Sequence, residues 1–432
     1  MRIAYTLFLF LLSAVGCRQN ASQPSVDLKL VNLSHLNHLY EEVVIDGKEM
    51  ALIHIYSEYP DYGWVDAHNE GIACVDDVAR AAVVYLRHFE ITGDSASLKH
   101  ARKLLEFCRY MQAEDGQFYN FIYTDGSINR NGKTSFKSFG WWAARAVWAL
   151  GEGVRVYQKQ DTAYAETLKR HLHKTYAHID TVLAHYPEAE TFNGFTVPKW
   201  LLYNSAADAT SELMLGLAAL AEASNDSRAK NYLETFADGL IQMQIGAEET
   251  LPFGALLSWK NIWHGWANSQ TQALARLSRV LGKNRFRNAA IKEASFFYPY
   301  WMEQGFPREL DFVLADTIRV QRIDKFDQIA YAIRPAVVGS LKLYELTQQE
   351  RFAELAGDLA TWFFGNNPAN KQMYDPENGR CFDGILSETE INRNSGAEST
   401  IEALYSILEV EANPVARARL ENFLVSDRKL RN

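Results

Sequence analysis

Twelve stretches of helical periodicity, joined by loops that alternate strictly between very short and very long, limit what this chain can fold into more than any other feature. Beyond residue 75, apolar residues recur at the three- and four-residue spacing of a helix that buries one face. In the first stretch Val78, Ala81, Ala82, Tyr85, Leu86 and Phe89 share one stripe. The pattern predicts helices at roughly 76–92, 95–112, 138–157, 160–184, 199–223, 226–243, 263–281, 284–303, 326–346, 349–364, 396–411 and 413–426. Connections leaving the odd-numbered helices are mere turns: Thr92-Gly93-Asp94, Gln158-Lys159-Gln160, Ser224-Asn225-Asp226, Gly282-Lys283, Thr347-Gln348-Gln349 and Ala412-Asn413. Connections entering them run from roughly 14 to 31 residues, far above the usual loop length.

Short turns close antiparallel hairpins and collect at one end of a molecule. The long loops then gather at the other end, with the N-termini of the odd helices. Six such hairpins predict an all-α fold, the (α/α)6 toroid, with odd helices lining the inside and even helices wrapping them. An open superhelix of hairpins is the alternative; the drifting hairpin spacing and the lack of a fixed repeat favour the ring. Ahead of the helices, Glu42-Val43-Val44-Ile45, the turn Asp46-Gly47 and Ala51-Leu52-Ile53-His54-Ile55 predict a short strand pair.

The N-terminus reads as a processing signal. Arg2 precedes an apolar run from Ile3 to Leu12, and Ser13-Ala14-Val15-Gly16 lead into Cys17. The run is too short to span a bilayer. It resembles a bacterial lipoprotein signal, in which the cysteine is acylated; a plain signal peptide is the alternative. The expected organisation is a signal peptide over 1–16, a polar tether over 17–35, a segment packing on the barrel over 36–75 and the catalytic toroid over 76–427. That predicts an exported protein on the periplasmic side of a bacterial membrane, touching the membrane through its lipid anchor only. Of the other cysteines, Cys108 lies on an apolar stripe and reads as buried filler, whereas Cys74 and Cys381 lie in loops. Ring closure brings those two within reach of each other, so a bridge between them is an open expectation.

A net charge of −9 without any basic stripe excludes a nucleic-acid partner. With no C-x-x-C pair, no H-E-x-x-H and no glycine-rich phosphate loop, neither a metal nor another cofactor is expected. No G-x-S-x-G elbow suggests a serine hydrolase. The long loops and first turns of the odd helices instead supply acids among aromatic rings. They contain Asp76, Asp77, Tyr119, Asn120, Trp141, Trp142, Tyr203, Asn204, Asp208, His264, Trp266, Asp327, Arg334, Asn394 and Glu398. Flat rings cover the apolar faces of sugars while carboxylates and amides bind hydroxyls, so the pattern points to a carbohydrate. Several members have purely structural readings. Asp76 and Asp77 begin a helix, where carboxylates cap free N–H groups. Ser395 and Glu398 have the spacing of a capping box, and Ser205 with Asp208 a weaker version of it. Of Trp141 and Trp142, one is expected to face ligand and the other the core. His264 reads first as a hydrogen-bonding residue. Pro335 would kink its helix or mark its true start, and Arg334 beside it needs an acid, either Asp327 or a substrate group.

At Cys74-Val75-Asp76-Asp77-Val78-Ala79-Arg80-Ala81, at Asp115-Gly116 to Phe121, and at Asp383-Gly384 with Asn394-Ser395-Gly396-Ala397-Glu398-Ser399-Thr400, the sequence resembles the six-hairpin glycosidase superfamily. It is similar in particular to a helical domain sometimes joined to glycosyltransferases, over roughly residues 70–410. Lys137-Ser138 stands where that group often has an acid. The resemblance implies the (α/α)6 barrel, a sugar cleft at the loop end and chemistry by acidic residues. The leading expectation is thus a glycoside hydrolase acting on an oligo- or polysaccharide, with Asp76 or Asp77 as base and Glu398 or Asp208 as proton donor. Two alternatives are a polysaccharide lyase, using Tyr203, Asn204, His264 and Arg334, and a glycan-binding lipoprotein without catalysis.

Overall fold

The computed structural model describes residues 28–431. The expected signal peptide, the lipidation site at Cys17 and the first part of the tether lie outside these residues. Six inner helices, Val75–Thr92, Trp141–Gln160, Ala207–Ser224, Gln270–Leu281, Ala330–Thr347 and Ala397–Ala412, stand side by side. Each packs on the next, and the sixth returns to the first, which closes the ring. Outer helices follow each of them: Ser95–Tyr110, Thr162–Lys174 with Tyr176–Leu183, Ser227–Gln242, Asn284–Lys292, Glu350–Ala360 and Pro414–Arg431. The fourth outer helix continues through a π-helical turn, Glu293–Phe297, into Tyr298–Glu303. Among the described residues, no helix is long and apolar enough to cross a membrane.

The hairpin turns are tight because their sequences carry both halves of a stop-and-start signal. Gly93, Asn225, Gly282 and Gln348 take the left-handed conformation that ends a helix. Asp94, Asp161 and Asp226 then cap the next helix through their carboxylates. The second and third inner helices approach most closely, through Gly151 and Gly216, where an added Cβ on either would run into the partner's backbone.

Four inner helices start later than the periodicity predicts, at Trp141, Ala207, Gln270 and Ala330, and the delay is longest at Ala207 and Gln270. Most apolar residues of 199–206 and 263–269, such as Trp200, Leu201, Leu202 and Trp263, are buried, yet Tyr203, Asn204 and Ala267 hold positive φ angles of 48°, 70° and 56° that no helix accommodates. Burial there is achieved by loop packing, which leaves the same apolar imprint as a helix. The long loops are ordered by short hairpins, among them Ala189–Phe192 with Phe195–Pro198 and Gln244–Ala247 with Thr250–Leu256. A three-stranded sheet joins Ile262–His264, Glu309–Leu314 and Ile318–Asp324. The expected N-terminal strand pair is Tyr40–Ile45 against Lys48–Ile53, turned by Asp46 and Gly47, both at positive φ. A second hairpin, Tyr56–Glu58 with Gly63–Val65, follows.

Side chains fill the ring in layers. Near the turn-bearing end lie five acids and five bases drawn from all six inner helices: Arg87, Glu90, Glu152, Arg155, Glu222, Arg276, Arg279, Lys342, Glu345 and Glu409. Above them Trp148 and Tyr405 meet, ring centroids 6.0 Å apart, with the Arg334 guanidinium 5.2 Å from the Trp148 ring. Over that layer, at the loop-bearing end, the ring opens into a cavity of about 440 Å³.

Candidate active site

The first inner helix enters the cavity from a two-residue strand, Ala73–Cys74, paired with Phe121–Ile122. Its free N–H groups are satisfied from outside: Val75 donates to the Asn120 carbonyl at 2.9 Å and Asp76 to Asn120 Oδ1 at 3.3 Å. This corrects the capping reading of the two aspartates, whose carboxylates are left for other work. Asp76 Oδ1 accepts from Arg145 at 2.6 Å and Oδ2 from Asn120 at 3.0 Å. Asp77 is nearly sealed, with Oδ1 2.7 Å from Arg80 and Oδ2 receiving the Cys74 thiol at 3.2 Å. Burial raises the Asp77 carboxyl above its ordinary range, against the pull of Arg80.

The sixth inner helix is likewise pinned by partners elsewhere. Gly396 donates to Asp383 Oδ1 at 2.8 Å, Ser399 donates to the same oxygen at 2.6 Å, and Ala397 donates to the Ile55 carbonyl at 3.0 Å. The Ser395–Glu398 capping box is therefore not formed. Ser395 Oγ accepts from the Cys381 backbone instead, and the Glu398 side chain, 44% exposed, faces the cavity. Only Glu398 Oε2 is held, by both terminal nitrogens of Arg80 at 3.3 Å. Asp383 lines the same space, and burial pushes its carboxyl upward too.

Beneath these acids runs a buried chain of alternating charge that the sequence reading missed. Arg80 reaches Glu402 at 2.9 Å, Glu402 reaches Arg334 at 2.6 Å, Arg334 reaches Glu212 at 3.0 Å, and Glu212 reaches Arg145 at 3.0 Å. Tyr331 sits at the hub, donating to Glu212 at 2.7 Å and accepting from Arg145 at 2.6 Å. Arg80 stacks 4.6 Å over its ring. Burial alone would raise Glu212, but Arg145 and Arg334 outweigh it and hold its carboxyl below the usual range. Three of the missed residues were detectable: Arg80, Glu212 and Glu402 each lie four positions, one helical turn, after Asp76, Asp208 and Glu398. Arg145 follows Trp141 by the same four positions, but a ring there, unlike an acid, does not call for a charged partner.

Arg334 is fully buried among Glu212, Glu402, Ser269 and Gln272, so its partners are neither Asp327 nor a substrate group. Pro335 lies inside the helix Ala330–Thr347 rather than at its start. Asp327 is exposed and outside the cavity lining.

Asp208 does not share the cavity with Asp76 and Glu398. It forms a buried pair with His264, Oδ2 to Nε2 at 3.1 Å, and burial raises its carboxyl despite that partner. His264 Nδ1 lies 2.9 Å from the Trp266 carbonyl, and its ring stacks on the Trp266 indole at 3.5 Å and 4°. Both ring nitrogens are therefore committed, leaving neither free to take a proton from a substrate. Ser205 does not cap this helix. Trp141 connects the two regions: its ring lies 6.0 Å from Trp266 and 5.2 Å from the Arg145 guanidinium, and its backbone N–H donates to the Tyr203 hydroxyl at 3.1 Å. Trp142 is its core counterpart, buried and donating to the Phe118 carbonyl at 2.7 Å. Asn204 is exposed beside Tyr203. Tyr119 stacks under Arg130, and Asn394 holds the Tyr59 backbone; neither lines the cavity. Cys74, Cys108 and Cys381 are all buried free thiols, so the Cys74–Cys381 bridge is not made.

Residues 137–374 match the family profile described as Glycosyl hydrolase family 9. No curated protein matches the sequence. Among solved structures, the chain is similar to the cellobiose 2-epimerase from Bacillus thermoamylovorans, at 16% identity and a TM-score of 0.60, over 83% of this chain and 92% of that one. A D-mannose isomerase superposes with a TM-score of 0.54 at 14% identity, covering 82% and 90%. An inactive variant of an α-1,6-mannanase from Salegentibacter sp., in complex with α-1,6-mannotriose, gives 0.51 at 12% identity, covering 84% and 93%. These likenesses establish the shared toroid.

Proposed function

Because the chain belongs to glycosyl hydrolase family 9, we propose that it hydrolyses a glycosidic bond of an oligo- or polysaccharide, with Glu398 as proton donor and Asp76 as base. The observation that carries this reading is the unequal commitment of the cavity's carboxylates. Glu398 is half open and tethered through one oxygen, which leaves Oε1 to meet a leaving-group oxygen. Asp76 keeps partial exposure while Arg145 and Asn120 fix its orientation, which suits a group that must aim a water at the anomeric carbon. Asp77 is more deeply buried and spends both oxygens on Arg80 and Cys74, so it positions Arg80 rather than reacting.

The same geometry weighs against the competing chemistries. Epimerisation or isomerisation of a sugar by a histidine base would need a free imidazole beside the carbonyl-adjacent carbon. Among the described residues no histidine lines the cavity, and both nitrogens of His264 are occupied. A lyase needs a cation for the substrate's carboxylate, yet Arg334 is sealed between two glutamates. Four carboxylates and two guanidiniums line the cavity, Asp76, Asp77, Asp383 and Glu398 against Arg80 and Arg145, so a uronate would be repelled. The resemblance of residues 1–17 to a bacterial lipoprotein signal adds the proposal that the enzyme works lipid-anchored outside the cytoplasm.

The test is incubation of the wild type, Asp76→Asn and Glu398→Gln with soluble β-glucan and α-1,6-mannan, reading new reducing ends and product chain length. Wild type is expected to shorten at least one polymer, and each variant to lose at least about a hundredfold in turnover. Full activity in either variant overturns its assigned role. An epimerised product of unchanged length overturns hydrolysis itself, and binding without any turnover by wild type favours the non-catalytic reading.

A further inference from the structure

Beside the catalytic cavity lies a second, larger depression of about 890 Å³, and its floor is an aromatic ring held rigidly in place. Trp64, on the hairpin Tyr56–Glu58 with Gly63–Val65, is 45% exposed. One face of its indole stacks on His54 at 3.7 Å and 10°, and its ring N–H donates to the His38 carbonyl at 3.1 Å. His54 is held in turn by Glu41 at 2.8 Å. A large apolar ring fixed on one side and open on the other gives nothing to the core of this domain. Such pre-organisation removes the ordering cost of binding a ligand. Tyr123, also exposed, lines the same depression, together with Asp66, Glu70 and Asp125. Among the described residues no lysine or arginine does so, and His68 is the one basic side chain in the lining. Rings with three carboxylate acceptors and no permanent cation suit a neutral, hydroxyl-rich ligand and repel an anionic one.

Two chain segments tie this depression to the catalytic cavity. Tyr56 lines the cavity, while Trp64 and Val65 line the depression from the opposite strand of the same hairpin, with Tyr56 paired to Val65. Likewise Asn120 and Phe121 line the cavity, and Tyr123 to Asp125 line the depression, a step of roughly 10 Å of extended chain. We propose that the Trp64–Tyr123 depression is an outer subsite that binds sugar units of a neutral glycan chain whose scissile bond lies in the cavity. The assignment rests on the hydrolase reading and makes the preferred substrate a chain rather than a disaccharide.

Trp64→Ala, Trp64→Phe and Tyr123→Ala are compared with wild type on whichever of the two polymers, β-glucan or α-1,6-mannan, the wild type cleaves. The hexasaccharide and disaccharide of the same linkage serve as short substrates. The expected result is a KM for the hexasaccharide raised about tenfold in Trp64→Ala, with disaccharide turnover unchanged. Trp64→Phe, which keeps a stacking face, should recover most of the affinity. Tyr123→Ala repeats the measurement should Trp64→Ala fail to fold, as judged by circular dichroism. Equal loss on hexasaccharide and disaccharide, or no loss on either, overturns the subsite while leaving the hydrolase reading intact. A wild type that cleaves neither polymer removes the reading on which the subsite depends.

Discussion

Arg334 has no exposed surface and stands between Glu212 and Glu402, each of which is also buried. Removing one partner from such a group strands the others without water. Arg334→Met should therefore destabilise the fold by about 3–5 kcal/mol, read by urea unfolding. A loss near zero would mean that the two glutamates take up protons without strain. The acids at helix starts were visible in the sequence because a carboxylate in a first turn always asks for a reason. Arg80, Glu212 and Glu402 were legible only through their four-residue spacing, and Arg145 less so, because a charge within an amphipathic helix otherwise reads as the solvated face. Only ring closure buries an inner helix on every side and turns those charges into an internal network. Of the aromatic pair, Trp142 lies in the core, as expected of one of the two, while Trp141 packs beside Arg145 and Trp266. Asp208 and His264 were expected in the shared hollow and lie beside it, since nothing in the sequence could show that the two would pair with each other.

Whole elements were more legible than single side chains. The turns announce themselves through a left-handed residue followed by an aspartate cap, and all twelve helices stand where the periodicity put them to within a few residues, except at the two latest starts, Ala207 and Gln270. Those starts were hidden because buried loop residues such as Leu201 and Leu202 are as apolar as a helix face. Between elements, the closest packing is set by glycine. Gly216→Ala would drive a methyl group into the backbone at Val147. The second and third inner helices must then separate, at a cost of about 3 kcal/mol, the upper end of overpacking. Thermal unfolding checks this, and an unshifted melting temperature would show that the two helices can part freely.

At the scale of the molecule, the ionic ring near the turn-bearing end makes stability depend on acidity. Burial would raise Glu152 and Glu409, but Arg276 and Arg155 outweigh it at the first and Arg87 and Lys342 at the second, bringing each carboxyl down to about 2. A carboxylate depressed on folding contributes stability above its unfolded value of about 4.5, and loses it as pH falls toward 2. The melting temperature should hold steady above pH 5 and drop steeply below 4.5, with on the order of 3 kcal/mol lost per carboxylate. In Glu409→Gln the starting stability should be lower and the acid-induced fall shallower; an unchanged slope would mean that other carboxylates govern it. The same layered filling decides how a polymer can be handled. With Trp148, Tyr405 and the charged annulus packed behind the acids, the enzyme has one doorway and no back exit. Under the proposed hydrolase function, a glycan could not be threaded through the barrel, so both fragments of a cut chain would withdraw across the face by which the chain arrived.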